Sequence, residues 1–157
     1  MAASKKIKLA KLLKTNSIDL SLKGKNKKQV ITELVDLIAK SGKLKNKKAF
    51  FKVMMGREKL GSTGIGGGVA IPHGKSQDVK DFILVFARKT EGIEFGALDG
   101  EKTYLFFALA SPAEDVGDHL KILAEISRIT RDKFTVDQLK RIEDRSSALK
   151  IISSAWN

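Results

Sequence analysis

The sequence holds 157 residues, no cysteine and a net charge of +12. That length suits one domain spanning 1–157, which buries roughly 70% of the unfolded surface without a staple. Disulfides and thiolate metal sites are excluded; with no signal-peptide core and no apolar run near the ~20 residues of a membrane helix, the chain reads as cytoplasmic and not membrane-inserted.

Residues 5–14 read as a short helix, with Ile7, Leu9, Leu12 and Leu13 apolar among Lys5, Lys6, Lys8, Lys11 and Lys14. This segment opens a basic half. Residues 1–60 carry 17 Lys/Arg against 4 Asp/Glu, whereas residues 61–157 carry 13 against 14. Such a surface either keeps the protein dissolved or meets an acidic partner, protein or nucleic acid. No aromatic residue is interleaved with the lysines before Phe50, which disfavours a nucleic-acid site built on base stacking.

Alternating residues at 18–22 predict a strand. Asn26 with Gln29 predicts a helix start, followed by an apolar stripe at Val30, Leu34, Leu37 and Ile38 and a stop at Gly42. Asn46 predicts the cap of a second helix whose Phe50, Phe51, Met54 and Met55 belong to the core. Strands are expected at 69–71, 82–87 and 104–110, with a turn at Asp99-Gly100. The last two strands are nearly all apolar and should be covered on both faces by helices. Ser111-Pro112-Ala113-Glu114 has the pattern of a helix start, with Asp115 as a rival cap. Leu120, Leu123, Ile126 and Ile129 continue that helix, and two more follow near 133–142 and 145–155. Helices on both sides of the strands predict an α/β fold, a mixed sheet sandwiched by helices.

One stretch does not look like ordinary fold material. Six of the 13 glycines fall between Gly56 and Gly68, and Gly74 follows. Clustered glycine suits backbone that approaches a ligand closely or turns N–H groups toward an anion. Gly74-Lys75-Ser76 resembles the end of a P-loop, but its required first glycine falls on Val69. A dinucleotide fingerprint fails as well, because its last glycine falls on Val69 or Ile71. What remains is a glycine loop, a strand, and His73 held between Pro72 and Gly74. Neutral imidazole is nucleophilic near pH 7, Arg57 offers a fork for phosphate, and Ser62 and Thr63 offer hydroxyls. Phosphoryl transfer on such a design calls for no metal and no cofactor. The other histidine, His119, shares a helix face with Ile122, Leu123 and Ile126. Alone, that pattern fits a structural histidine; no H-x-x-x-H or acidic cluster supports a metal site.

Arg57-Glu-Lys-Leu-Gly-Ser-Thr-Gly-Ile-Gly followed by Val69-Ala-Ile-Pro-His-Gly-Lys75 resembles the active-site signature of the fructose/mannitol-type enzyme IIA domains of the bacterial phosphoenolpyruvate phosphotransferase system. Within that group it is most similar to the nitrogen-regulatory branch, and the likeness extends over nearly the whole chain to Asp118-His-Leu120. The resemblance implies the enzyme IIA fold and a phosphotransferase component that works through a phosphohistidine. His73 would be charged by an HPr-like carrier, Arg57 would neutralise the phosphate, and His119 would face His73. Ser62, Thr63 and Gly64 would line the phosphate site. It also implies regulation of target proteins such as potassium-transport or sensor-kinase components; the alternative is a sugar-transport enzyme IIA that passes its phosphate to a IIB domain. The lysine-rich first 60 residues and the run Gly66-Gly67-Gly68 depart from the family pattern.

Overall fold

A computed structural model describes residues 7–156. In chain order the elements are β1 (Ile18–Asp19), α1 (Lys27–Ala39), α2 (Lys47–Lys59), β2 (Gly64–Gly66), β3 (Val69–Ala70), β4 (His73–Ser76), β5 (Ile83–Ile93), β6 (Thr103–Pro112), α3 (Asp118–Thr130), α4 (Lys133–Arg141) and α5 (Arg145–Ala155). The sheet is mixed, in the order β1-β5-β6-β3-β2. β5 and β6 run antiparallel, while β3 and β4 lie one after the other, parallel to β6 along its other side. None of the described helices is long and apolar enough to cross a membrane.

Alternation along the central strands divides the core in two. Val85, Ala87, Phe106 and Ala108 face α1 and α2. Leu84, Phe86, Leu105 and Phe107 face the N-terminal segment and α3–α5. This is the expected sandwich. Its helix starts follow side-chain chemistry: Asn26 and Asn46 accept from the N–H groups of Gln29 and Ala49, as expected, and Asp132 and Asp144 cap α4 and α5.

Four expectations are corrected. The helix expected at 5–14 is, among the described residues, one 3-10 turn at Leu9–Lys11; Lys5 and Lys6 lie outside them. Leu9, Leu12 and Leu13 are buried there, and the Leu12 carbonyl accepts from Leu84 N–H, so backbone pairing with the sheet displaces helix. Of the strand at 18–22 only Ile18–Asp19 joins the ladder, because the Asp19 carboxylate accepts from Ser21 N–H and turns the chain. β5 runs six residues past the predicted end at Ala87, to Ile93. The extension buries two cations: Arg88 donates to the carbonyls of Leu20, Leu139 and Ile142, and Lys89 to that of Leu22. Finally, Ser111 and Pro112 do not open a helix. They close β6, paired with Lys75 and Ser76, and α3 begins only at Asp118. Its inward stripe is His119, Ile122, Ile126 and Ile129, while Leu120 is 69% exposed.

Candidate active site

The glycine-rich loop is a hairpin. Gly66, Gly67 and Gly68 all take positive φ (92°, 65° and 84°) to turn β2 back onto β3. The Asp99 carboxylate accepts from Gly67 N–H at 2.9 Å. Gly68 lies beside Tyr104 and Leu105 of β6, whereas His73 pairs with Leu109. Four residues of strand, ~13 Å, separate this turn from the histidine. The clustered glycines thus build the turn rather than cradle a ligand at His73.

Pro72 interrupts the edge between β3 and β4 and offers only its carbonyl, which accepts from Leu109 N–H. His73 is therefore the first residue of β4. Period-two alternation turns its side chain to the α3 face and Gly74 to the α2 face. The His73 Nδ1 lies 2.7 Å from the Ile71 carbonyl oxygen. A carbonyl only accepts, so Nδ1 carries the proton and Nε2 keeps its lone pair.

The second imidazole arrives from the helical layer. The cap position of α3 is Gly117, but the Asp115 carboxylate, two residues before it, accepts from the N–H groups of Asp118 and His119 at 3.3 and 2.9 Å. The His119 ring stands 5.3 Å from that of His73, centroid to centroid, at 64°. Its Nδ1 lies 2.6 Å from Ser111 Oγ. Lys75 donates to the Asp115 carbonyl at 2.9 Å, tying β4 to the loop before α3.

Arg57 comes from the last turn of α2, where it donates to the Gly61 carbonyl at 2.8 Å. Gly74 lets that helix close on β4: a Cβ there would stand 2.7 Å from Val53 Cγ1. Beside Arg57, Glu58 is 6% exposed. It accepts from Lys27 Nζ at 2.8 Å, from Thr63 N–H at 3.1 Å, and from the Thr63 hydroxyl. The Ser62 hydroxyl donates to the Phe95 carbonyl at 2.9 Å and accepts from Gly64 N–H at 3.0 Å. A Cβ on Gly64 would meet Ala97 Cα at 2.9 Å. The hydroxyls of Ser62 and Thr63 are thus engaged by the scaffold, and Gly64 admits the 97 backbone. Glu58, Lys75 and Ser111 take part without a sequence signal of their own. For Glu58 the one hint is a lone acid among the cations that end α2.

Electrostatics keep both rings neutral at pH 7. Burial pushes His73 below its ordinary value against the pull of the Ile71 carbonyl; the Arg57 charge lowers it further and Glu58 raises it. His119 falls to about 4, through burial first and then the charges of His73 and Lys75, with Asp115 opposing. Among the described residues no group of three or more His, Cys, Asp or Glu side chains gathers that could hold a metal ion.

Residues 11–155 match the family model described as "Phosphoenolpyruvate-dependent sugar phosphotransferase system, EIIA 2". A nitrogen regulatory protein of Bradyrhizobium diazoefficiens is 38% identical over 135 residues, 85% of this chain and 86% of that protein. A fructose-specific EIIABC component of Bacillus subtilis is 33% identical over 147 residues, 94% of this chain; the chain spans only 23% of that longer protein. The crystal structure of the nitrogen regulatory protein IIA-Ntr from Neisseria meningitidis has a TM-score of 0.87 at 30% identity, covering 92% of this chain and 98% of that one. With two histidine rings set edge-on to each other beside a mixed sheet, and the matching family model spanning nearly all of the chain, the protein belongs to the EIIA 2 family of the phosphoenolpyruvate-dependent sugar phosphotransferase system.

Proposed function

We propose that this protein takes a phosphoryl group on His73 Nε2 from a phosphorylated HPr-like carrier in the cytoplasm, and that its phosphorylation state governs its binding to regulatory targets such as potassium-transport or sensor-kinase components. The observation that carries this reading is the fixed His73 ring, with Nδ1 held 2.7 Å from the Ile71 carbonyl, which leaves the Nε2 lone pair free to react. In the transfer the P–N bond of the carrier breaks as the P–Nε2 bond of His73 forms, and Nδ1–H stays where it is. The transition state is loose and in-line, so the protein's share is positioning and charge. Arg57, already acting on His73 through its charge, neutralises the phosphate. His119 borders the opposite side. Ser62, Thr63 and Gly64 shape the wall of the phosphate site through backbone position, held by Glu58 and Phe95.

Regulation is favoured over transport by the 38% identity to a protein named nitrogen regulatory protein and by the TM-score of 0.87 to the IIA-Ntr structure. The second reading, a sugar-transport enzyme IIA that hands phosphate to a IIB domain, is supported by the fructose-specific relative. Incubation with phosphoenolpyruvate, enzyme I and carrier, followed by mass spectrometry, should show a labile phosphohistidine on His73. Label retained by His73→Ala would refute the assignment. Arg57→Ala should slow transfer without unfolding. Fast exchange only with the sugar-type carrier, followed by transfer to a IIB domain, would replace the regulatory reading with the transport one.

A further inference from the structure

Ser111 is a ladder residue of β6, paired with Lys75, and its exposure is 0%. Ladder alternation places it on the same face as Leu109 and His73, toward α3. Among the described residues its hydroxyl makes one hydrogen bond, to His119 Nδ1 at 2.6 Å. A hydroxyl has one proton to give and two lone pairs to fill. Were His119 Nδ1–H the donor, the serine proton would be buried with no acceptor, at the full desolvation cost of a lost hydrogen bond. With the serine donating, that proton is used, and only acceptor capacity stays unfilled, which folded proteins tolerate better.

Building on the phosphocarrier reading, we infer that Ser111 is a positioning residue: its hydroxyl donates to His119 Nδ1 and so holds His119 as the Nε2–H tautomer, aimed at the oxygens of the phosphoryl group on His73. The two rings are then complementary. The Ile71 carbonyl gives His73 a free Nε2 lone pair, and the Ser111 hydroxyl gives His119 a free Nε2–H. The backbone is fixed as well, since Asp115 accepts from His119 N–H at 2.9 Å. Burial and the Lys75 charge keep the His119 ring neutral. The proton count closes. As the phosphoryl group moves from the carrier nitrogen to His73 Nε2, His73 keeps Nδ1–H and His119 keeps Nε2–H, hydrogen-bonded to a phosphoryl oxygen. No general acid or base is consumed, which suits a reversible exchange. The opposite tautomer would turn a lone pair on those oxygens.

Long-range proton–nitrogen NMR of the unphosphorylated protein near pH 7.5 reads both tautomers directly. The expected pattern is protonated Nδ1 at His73 and protonated Nε2 at His119, with His119 Nδ1 shifted by a hydrogen-bond donor. Protonated Nδ1 at His119 would overturn the proposal even if transfer proceeds normally. In Ser111→Ala the His119 Nδ1 resonance should move to the position of a nitrogen without a donor. Transfer from a phosphorylated carrier should slow roughly tenfold, and Ser111→Thr, which keeps the hydroxyl, should stay within about threefold of wild type. A folded Ser111→Ala protein that transfers at the wild-type rate sinks the proposal. If wild-type protein accepts no phosphate from any carrier, the phosphocarrier reading fails by itself, while the NMR spectrum still decides the tautomer.

Discussion

Gly74 tests how closely α2 must approach the strand that carries His73. Its φ lies outside the left-handed region, so an alanine there meets no backbone strain and its effect is steric. The new methyl would stand 2.7 Å from Val53 Cγ1, with Phe50 Cε1 at 3.6 Å and Met54 Sδ at 3.7 Å behind it. Ordinary carbon contacts lie at ~3.5–4.0 Å, so the first contact is too short by about 1 Å. Val53 has little room to yield, because a β-branched side chain in a helix keeps one favoured χ1. The helix must move instead, and Phe50 and Met54, 0% and 1% exposed, would loosen with it. Overpacking of this kind costs about 1–3 kcal/mol. For a chain of this size that is a fall in Tm of roughly 3–10 °C. Since α2 also carries Arg57, the same movement shifts the guanidinium relative to His73 and should slow transfer. Urea unfolding and a carrier-transfer assay on Gly74→Ala, Val53→Ala and the double variant form a cycle. Val53→Ala removes the clashing methyl, so the double variant should be less unstable than the sum of the singles. A Gly74→Ala protein as stable as wild type would refute the close approach. Strictly additive losses would place the strain elsewhere.

Acid should destabilise the fold through His119. Its folded pKa of about 4 lies below the ordinary 6.5, so the native state binds fewer protons than the unfolded chain between those values. Stability from this group is complete above pH ~6.5 and is lost as pH falls toward 4. The unfolding free energy of His119→Gln should show a shallower slope across that window, and an identical slope would contradict the assignment. Arg88→Met should keep the apolar bulk but strand the carbonyls of Leu20, Leu139 and Ile142. The expected loss is about 2–4 kcal/mol by urea unfolding, with faster amide exchange in α4; unchanged exchange would mean the carbonyls find other partners.

The legible parts of the chain are those with local causes. Asn26 and Asn46 show their helices because a cap and its acceptor geometry occupy four consecutive residues. The strands at 82–87 and 104–110 show because both their faces are apolar. The two segments that carry the family resemblance, Arg57–Gly66 and Val69–Lys75, lie close together within the stretch the family model matches. What the sequence concealed depends on distant partners. Arg88 and Lys89 read as the end of a strand until the carbonyls of the α4 terminus and of the segment before α1 supply their hydrogen bonds. Ser111-Pro112 reads as a helix start because its pattern is local, whereas the serine's partner lies eight residues on in α3. The glycine run invites an anion, yet its conformations serve a hairpin whose closing carboxylate, Asp99, is 32 residues away.

The site joins the two cores at the edge of the sheet. β4 begins with a side chain that faces α3 and continues with a glycine that faces α2, so adjacent residues of one short strand fix both helices. β4 has no neighbour on its outer side among the described strands, and α2, packed on its Gly74 face, carries the Arg57 charge that acts on His73. On the phosphocarrier reading, loosening either helix should therefore weaken transfer before it unfolds the protein, because His73, His119 and Arg57 come from different layers while the fold depends mainly on burial within each layer.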